Sequence, residues 1–263
     1  MTFLPGVIDS GEVRLLNDPF DRSIYFKRGK WLPNNTPAIS EYPQVPTLLF
    51  GINRLSLTSL DPDFQKFAFS AVFSLEMIIV LFLVYKILLQ HLPLQRSNFA
   101  LLLLLPPTLY FTYNRFDILP AFFCLVAFRA AAKKNWTMVS LMLAIATFTK
   151  WYPVLLFPGF LLYAWTLESK FQWKMICIFG STSVAIVMLS YLQGGLDVII
   201  APYQFHTARG MEFVALPVLI SKFIENILNL NLNITYFFLI FFILQLSAPI
   251  LIFFVKIDSL EKL

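Results

Sequence analysis

Long apolar runs separated by short polar connections make up most of this chain. A helix needs about 20 predominantly apolar residues to span a bilayer, with a range of roughly 17–25. The runs meet or approach this requirement in seven places, at 67–89, 98–113, 117–132, 136–150, 152–168, 173–191 and 234–255. We therefore expect an all-α polytopic membrane protein with about seven transmembrane helices, several of them short or broken by proline.

The composition agrees with a membrane protein. Hydrophobic residues make up 58% of the chain, charged residues make up 13%, and the mean hydropathy is +0.73, whereas soluble domains are roughly 45–50% apolar and about 25% charged. Cys124 and Cys177 both lie inside apolar runs, which indicates buried thiols rather than a disulfide or a metal site. The basic residues are spread over helix ends, so the pI of about 9.2 does not indicate a nucleic-acid-binding protein.

The first 63 residues differ from the rest in being more polar and richer in charge. Within them, an apolar stretch at 45–60 is short and interrupted by an Asn-Arg pair, which favours an interfacial or re-entrant helix over a span. The sequence therefore predicts a first-loop region at 1–63 and a transmembrane helical domain at 64–263. The second domain includes a long loop at 192–233.

The distribution of basic residues predicts an orientation in the membrane. If the 67–89 helix ends in the cytoplasm, the cytoplasmic connections carry nine Lys and Arg residues and the opposite side carries four, counted downstream of residue 67. The positive-inside rule favours this arrangement. It places Arg115, Asp117 and Lys150 on the extracytoplasmic side, together with the loop at 192–233. We assign the first-loop region to the same side, which requires a membrane helix before it; the alternative is that 45–60 spans the membrane and the residues before it are cytoplasmic.

Arg115, Asp117 and Lys150 stand at the ends of apolar segments, in the sequences YNRFDILPA and TKWYP. Ionisable residues at membrane depth are costly and usually mark a functional site, so their convergence on one face predicts a membrane-embedded active site. A second interpretation of Asp117 is that it caps the N-terminus of a helix. For Glu76, inside the first long span, a hydrogen bond between helices is a simpler interpretation than catalysis.

Five segments carry a resemblance to a known family. In chain order they are DRSIYFKRGKWLP, SEYPQVPTLLFG, YNRFDILPA, TKWYPVLLFP and YQFHTARGMEFVALP. Their order and spacing, over about residues 15–220, resemble the polytopic glycosyltransferases of the GT-C superfamily, in particular glycosyltransferase family 87, which includes polyprenyl-phosphate-mannose-dependent mannosyltransferases. Enzymes of this type begin with a transmembrane helix before a large extracytoplasmic loop, and they usually continue with more helices. The resemblance therefore implies that this sequence is truncated at both ends.

The resemblance also implies a reaction. A mannose-like hexose would pass from a polyprenyl-phosphate-linked donor to a lipid or glycan acceptor, on the outer face of a bacterial plasma membrane that the chain crosses several times. Asp21, four residues before Tyr25, matches the family's first-loop acidic position and would take the proton of the acceptor hydroxyl, with Asp18 and Glu41 as alternatives. We expect no metal and no cofactor, because such enzymes need not use a metal and the DPD sequence at 61–63 is more simply a helix boundary.

The predicted substrate-binding residues follow from the same resemblance. They are Glu41, Arg115, Asp117, Lys150, Tyr152, His206, Arg209 and Glu212. The basic members would hold the departing phosphate, because ammonium and guanidinium groups stabilise its negative charge. For Tyr152 and its neighbour Trp151 a place in the interfacial aromatic belt is an alternative, and for His206 and Glu212 the alternative is a solvated loop.

Two other functions stay open at this point. A transporter or a lipid-binding membrane protein would also combine broken helices with charges in the membrane, although the sequence has no convincing internal repeat. An inactive fragment of a glycosyltransferase would keep the motifs without the reaction. The glycosyltransferase hypothesis makes one geometric demand, that four residues converge around one cavity: Asp21, Arg115, Lys150 and either His206 or Arg209.

Overall fold

The computed structural model describes residues 20–29, 42–91 and 94–209. Within these ranges every regular element is a helix, which confirms the all-α prediction for this part of the chain. The α-helices are α1 (Phe20–Arg28), α2 (Gln44–Leu55), α3 (Pro62–His91), α4 (Pro106–Asn114), α5 (Ile118–Ala132), α6 (Trp136–Thr149), α7 (Leu156–Glu168) and α8 (Trp173–Arg209), and 3₁₀ helices run over Leu94–Leu104 and Tyr152–Leu155. Some predictions lie outside the described residues, namely those on Asp18, Glu41, Glu212, the span at 234–255 and residues 210–233 of the loop.

Among the residues that the structure describes, two helices are long and apolar enough to cross a membrane, at Phe64–Gln90 within α3 and Trp173–Phe205 within α8. The apolar helices α5 and α6 have 15 and 14 residues. At a rise of about 1.5 Å per residue each is roughly 20 Å long, which is shorter than a hydrocarbon core of about 30 Å. The two long helices support an association with a membrane, and the count of seven spans stays a prediction.

The span predicted at 98–113 is divided between two elements. A 3₁₀ helix ends at Leu104, Leu105 is extended with φ −65° and ψ 145°, and α4 starts at Pro106. Proline disfavours helical backbone at the residue before it and has no N–H with which to continue a helix. Pro106 and Pro107 therefore explain why this apolar run does not form one continuous helix.

α8 extends beyond its predicted end. The sequence predicted a helix to 191 and a loop from 192, whereas the helix continues to Arg209 across a break at Gly194 and Gly195. Gly195 has φ +70° and ψ −160°, a backbone conformation that other residues rarely adopt. The apolar residues after the break resume the helix, so the first part of the predicted loop, 192–209, is helical instead.

α5 and α6 form an antiparallel hairpin that defines two ends of the bundle. Its turn contains Lys134 at φ +54°, and the side chain of Asn135 caps α6 by accepting a hydrogen bond from the Met138 N–H at 3.1 Å. Buried alanines on α5 allow the two helices to approach closely. The start of α5 and the end of α6 consequently lie together. We call this the Asp117 end, after the residue that precedes α5, and the other the Lys134 end.

α1, α2 and α3 pack together at the Asp117 end around a cluster of aromatic rings. The buried members of this aromatic cluster are Tyr25, Phe50, Phe69, Phe73, Met77, Phe116 and Leu119. Tyr25 of α1 stacks on Phe50 of α2, with ring centroids 4.5 Å apart and ring planes 11° apart. The cluster fixes α1, the helix that contains Asp21, against the bend that precedes α5.

Two predictions about polar residues in or beside helices are confirmed. Asn53 of α2 donates a hydrogen bond to Glu76 Oε2 of α3 at 2.6 Å, so Glu76 does join two helices. The DPD sequence at 61–63 is a helix boundary, because α3 begins at Pro62 and the Asp61 carbonyl accepts from the Gln65 N–H at 2.9 Å. Both features help to hold α2 and α3 together near the Asp117 end.

Candidate functional site

Lys150 and Asp117 form an ion pair between the end of α6 and the start of α5. Lys150 Nζ lies 2.6 Å from Asp117 Oδ1, and the two side chains stay 42% and 43% exposed, respectively. The helix dipoles favour both charges, since the carboxylate lies at the N-terminus of α5 and the ammonium group at the C-terminus of α6. An exposed pair of this kind contributes at most about 1 kcal/mol to stability, so it can open at low cost.

Asp117 does not cap α5, although it occupies the position directly before that helix. Its side chain makes no capping hydrogen bond. The Leu119 N–H already donates to the Phe116 carbonyl at 2.9 Å, and the next residue, Pro120, has no N–H to offer. The prediction that Asp117 stands at the N-terminus of α5 is confirmed, whereas a hydrogen-bonded cap is wrong, because the carboxylate pairs with Lys150 instead.

Phe116 fixes the bend in which Arg115 and Asp117 lie. Its side chain is only 3% exposed, and its ring lies 5.7 Å from that of Tyr25. Its charged neighbours on either side are exposed, because a buried apolar ring between two charges turns the charges outward. The Arg115 guanidinium lies over the Phe111 ring, 5.5 Å from its centroid. One buried ring thus positions two charged groups at the surface of the Asp117 end.

Two aromatic residues, Trp151 and Tyr152, directly follow Lys150 of the ion pair in the chain. Tyr152 begins the 3₁₀ helix before α7, two residues after Lys150, and its side chain is exposed. Trp151 stacks on Tyr203 of α8, with ring centroids 4.8 Å apart and ring planes 14° apart. The part of α8 that follows its break is therefore held beside the ion pair.

Arg22 is a charged residue of this end that the sequence did not single out. It lies on α1 beside Asp21 and is only 4% exposed. Its guanidinium lies over the Tyr113 ring, 4.5 Å from the centroid, and its Nη1 donates to Ser74 Oγ at 3.4 Å. The sequence did contain one signal for Arg22. It lies three residues before Tyr25, so that in a helix both side chains lie on the same face. Arg22 thus links α1 to α3 and α4.

Four of the predicted site residues lie at this end of the bundle: Arg115, Asp117, Lys150 and Tyr152. Three more are placed by their helices alone, namely Asp21 in α1 and His206 and Arg209 in the last part of α8. The helix that contains Asp21 packs on the bend before α5, and the end of α8 follows Tyr203, which contacts Trp151. Four separate chain segments therefore meet at one end of the bundle: α1, the bend before α5, the bend after α6 and the last part of α8.

The two cysteines are free, and their environments differ. Cys124 is buried, as predicted, whereas Cys177 is exposed on α8, so the prediction of a buried thiol is wrong there. An apolar run looks the same in sequence whether it faces other helices or the outside, and most of α8 faces outward.

Over the ranges described, no group of three or more His, Cys, Asp or Glu side chains could hold a metal ion.

Two buried amides flank the break in α8. Gln193, directly before the break, donates to the Thr47 carbonyl of α2 at 3.0 Å, and Gln44 of α2 donates to the Ile199 carbonyl beyond the break at 3.4 Å. Each side chain is 1% exposed, and neither amide oxygen has a hydrogen-bond partner among the described residues. α2 is therefore bonded to both halves of α8 and holds the broken helix in one position.

No protein-family model matches this chain, and comparison with curated proteins and with solved structures gives no match either. The features that indicate a function are therefore the residues at the Asp117 end and the resemblance that the five sequence segments carry.

Proposed function

We propose that this protein is a membrane glycosyltransferase that transfers a mannose-like hexose from a polyprenyl-phosphate donor to a lipid or glycan acceptor. The observation that carries the proposal is the ion pair of Lys150 and Asp117, 2.6 Å apart and partly exposed where two apolar helices end. A donor of this kind joins an apolar tail to an anionic phosphate, so it needs a cation at the edge of an apolar surface. Lys150 satisfies that need.

Two cations of this end would act on the phosphate. As the bond between the anomeric carbon and the phosphate oxygen breaks, negative charge grows on the departing phosphate, and a cation close to that oxygen lowers the barrier. Lys150 offers a compact ammonium group, and Arg115 offers a planar guanidinium that suits two phosphate oxygens. His206 and Arg209 are further candidates, since their helix is held beside Lys150 by the Tyr203 contact.

Asp21 is the proposed general base. Its helix is held against the charged bend by the contact of Tyr25 with Phe116, whose rings lie 5.7 Å apart. The carboxylate would take the proton of the acceptor hydroxyl while the hydroxyl oxygen attacks the anomeric carbon, and the phosphate would leave with the bonding electrons. Tyr152, which is 53% exposed, offers an aromatic face to the sugar ring.

The proposal is tested by incubating membranes that contain the protein with radiolabelled polyprenyl-phosphate mannose and recovering labelled product. Asp21→Asn should reduce the rate about a hundredfold to ten-thousandfold, because an acid–base carboxylate contributes on that order. Asp61→Asn is the matched control, since it removes an exposed carboxylate at the start of α3 and keeps a residue suited to a helix start. Absence of transfer by the unmodified protein, or full activity of Asp21→Asn, would overturn the proposal.

The break in α8 favours transport as a second candidate function. Transporters place their substrate sites where membrane helices are interrupted, and α8 is interrupted at Gly194 and Gly195, beside the buried Gln193. Proteoliposomes loaded with unlabelled substrate separate the two functions. A transporter accumulates the labelled polyprenyl-phosphate sugar unchanged by exchange, whereas a glycosyltransferase converts the label into a new product.

A further inference from the structure

We propose that Asp117 competes with an anionic ligand for Lys150, so that the carboxylate holds the ammonium group until a phosphate ester displaces it. The inference rests on the proposed function for the identity of the anion. It extends that function by giving Asp117 a role distinct from substrate binding. A carboxylate that returns to Lys150 weakens the hold on the phosphate and would help the lipid-phosphate product to leave.

The ion pair is open to exchange. Lys150 and Asp117 are 42% and 43% exposed, so water and a second anion can reach both partners. Lysine carries three N–H donors on a flexible stem, and a single contact to Asp117 Oδ1 at 2.6 Å uses one of them. A phosphate oxygen can therefore approach Lys150 Nζ before the carboxylate leaves, and exchange needs no prior unfolding of the helix ends.

Among the described residues, Asp117 can also leave Lys150 without breaking another hydrogen bond or ion pair of its side chain. The carboxylate makes no capping bond to α5, for which the backbone at Leu119 and Pro120 gives the reason. The N-terminus of α5 still favours a negative charge at this position. The freed carboxylate thus keeps a favourable environment on its own side of the bend.

If the ion pair were purely structural, removal of the Asp117 carboxylate would change the affinity for the anion in the opposite direction. If Asp117 only positions Lys150, removal of the carboxylate misplaces the ammonium group and weakens anion binding. If Asp117 competes for Lys150, the same removal leaves the ammonium group available and strengthens anion binding. The direction of the change therefore distinguishes the two interpretations.

The experiment measures binding of farnesyl phosphate to the purified full chain in detergent. Farnesyl phosphate is a short-chain lipid phosphate without a sugar. Inorganic phosphate serves as a second probe, which distinguishes recognition of a lipid-linked phosphate from recognition of free phosphate. Asp117→Asn should bind farnesyl phosphate more tightly, by up to about fivefold, the range for removing an exposed pair. Asp117→Glu keeps a competing carboxylate and should bind like the unmodified protein. Lys150→Met should bind at least about tenfold more weakly, and the double variant should match Lys150→Met.

Lys133→Met, which removes an exposed cation at the Lys134 end, is the matched control and should leave binding unchanged. A circular-dichroism melt of each variant confirms that it is folded. Unchanged or weaker binding by Asp117→Asn overturns the inference, and so does absence of binding by both this variant and the unmodified protein. If the expected order of affinities is found without sugar transfer, the proposed function fails and the inference stands. If sugar transfer occurs but Asp117→Asn does not bind the probe more tightly, the inference fails and the proposed function stands.

Discussion

The ring of Phe116 lies 5.7 Å from the ring of Tyr25, so the bend before α5 is held by the same helix that contains Asp21. Tyr25 is itself 2% exposed and stacks on Phe50 of α2. The proposed base and the ion pair of Asp117 therefore depend on one apolar contact region for their relative positions. Changes to that region should affect the site without touching any charged group.

Phe116→Ala should lower the free energy of unfolding by roughly 3 kcal/mol, because it empties a buried position among aromatic rings. It should also reduce sugar transfer, because the charged bend is no longer fixed against α1. Thermal unfolding in detergent and the transfer assay measure the two effects. Phe82→Ala is the control, since Phe82 is 61% exposed on α3 and its loss should cost less than about 0.5 kcal/mol. Equal destabilisation by the two variants would contradict an anchoring role for Phe116.

Gly29 should tolerate no side chain. A Cβ at this position would lie 2.7 Å from the Phe50 carbonyl carbon, and backbone atoms cannot move aside as a flexible side chain can. Gly29→Ala should therefore push α1 away from α2, seen as a lower melting temperature and faster proteolysis around residues 20–29. Gly180→Ala is the matched control, because a Cβ on Gly180 meets nothing within 4 Å. Its free energy of unfolding should rise by up to about 1 kcal/mol, because alanine has the higher helix propensity. Unaltered proteolysis of Gly29→Ala would argue against close contact of α1 with α2.

Local signals in the sequence predicted much of the fold, because their physical causes act over a few residues. Pro153 lies in the predicted break between α6 and α7, and Pro62 marks the start of α3. An ionisable Glu76 inside an apolar span required a polar partner, and Asn53 of the preceding helix supplies it. The hydrophobic runs likewise located α5 almost to the residue, since it begins at Ile118 and ends at Ala132.

Contacts between distant segments could not be predicted in this way. Alternating spans placed Asp117 and Lys150 on one face, but the 2.6 Å ion pair depends on how α5 packs on α6. The burial of Arg22 depends on residues of α3 and α4, which no local pattern connects to α1. The continuation of α8 beyond Gly195 was missed because two glycines followed by a proline resemble a helix end, whereas the apolar residues between them restore the helix.

Glu76→Gln should leave stability nearly unchanged, because an amide oxygen can accept the Asn53 hydrogen bond as a carboxylate does. Glu76→Leu should lower the free energy of unfolding by roughly 1 kcal/mol, since it leaves the Asn53 amide, on a residue that is 5% exposed, without its acceptor. Thermal unfolding of both variants in one detergent gives the comparison. A leucine variant as stable as the glutamine variant would mean that this hydrogen bond does not hold α2 on α3.

The two ends of the α5–α6 hairpin should be accessible from opposite sides of the membrane. Arg115 is exposed at the Asp117 end, and Lys133 is exposed in the turn at the other end. With Cys124 and Cys177 replaced by serine, Arg115→Cys should react with a membrane-impermeant maleimide on intact cells, and Lys133→Cys only after permeabilisation, because the positive-inside rule places the basic turn in the cytoplasm. The reverse pattern would put Lys150 on the cytoplasmic face and contradict transfer on the outer face. Labelling of both variants from one side would contradict a hairpin that crosses the membrane.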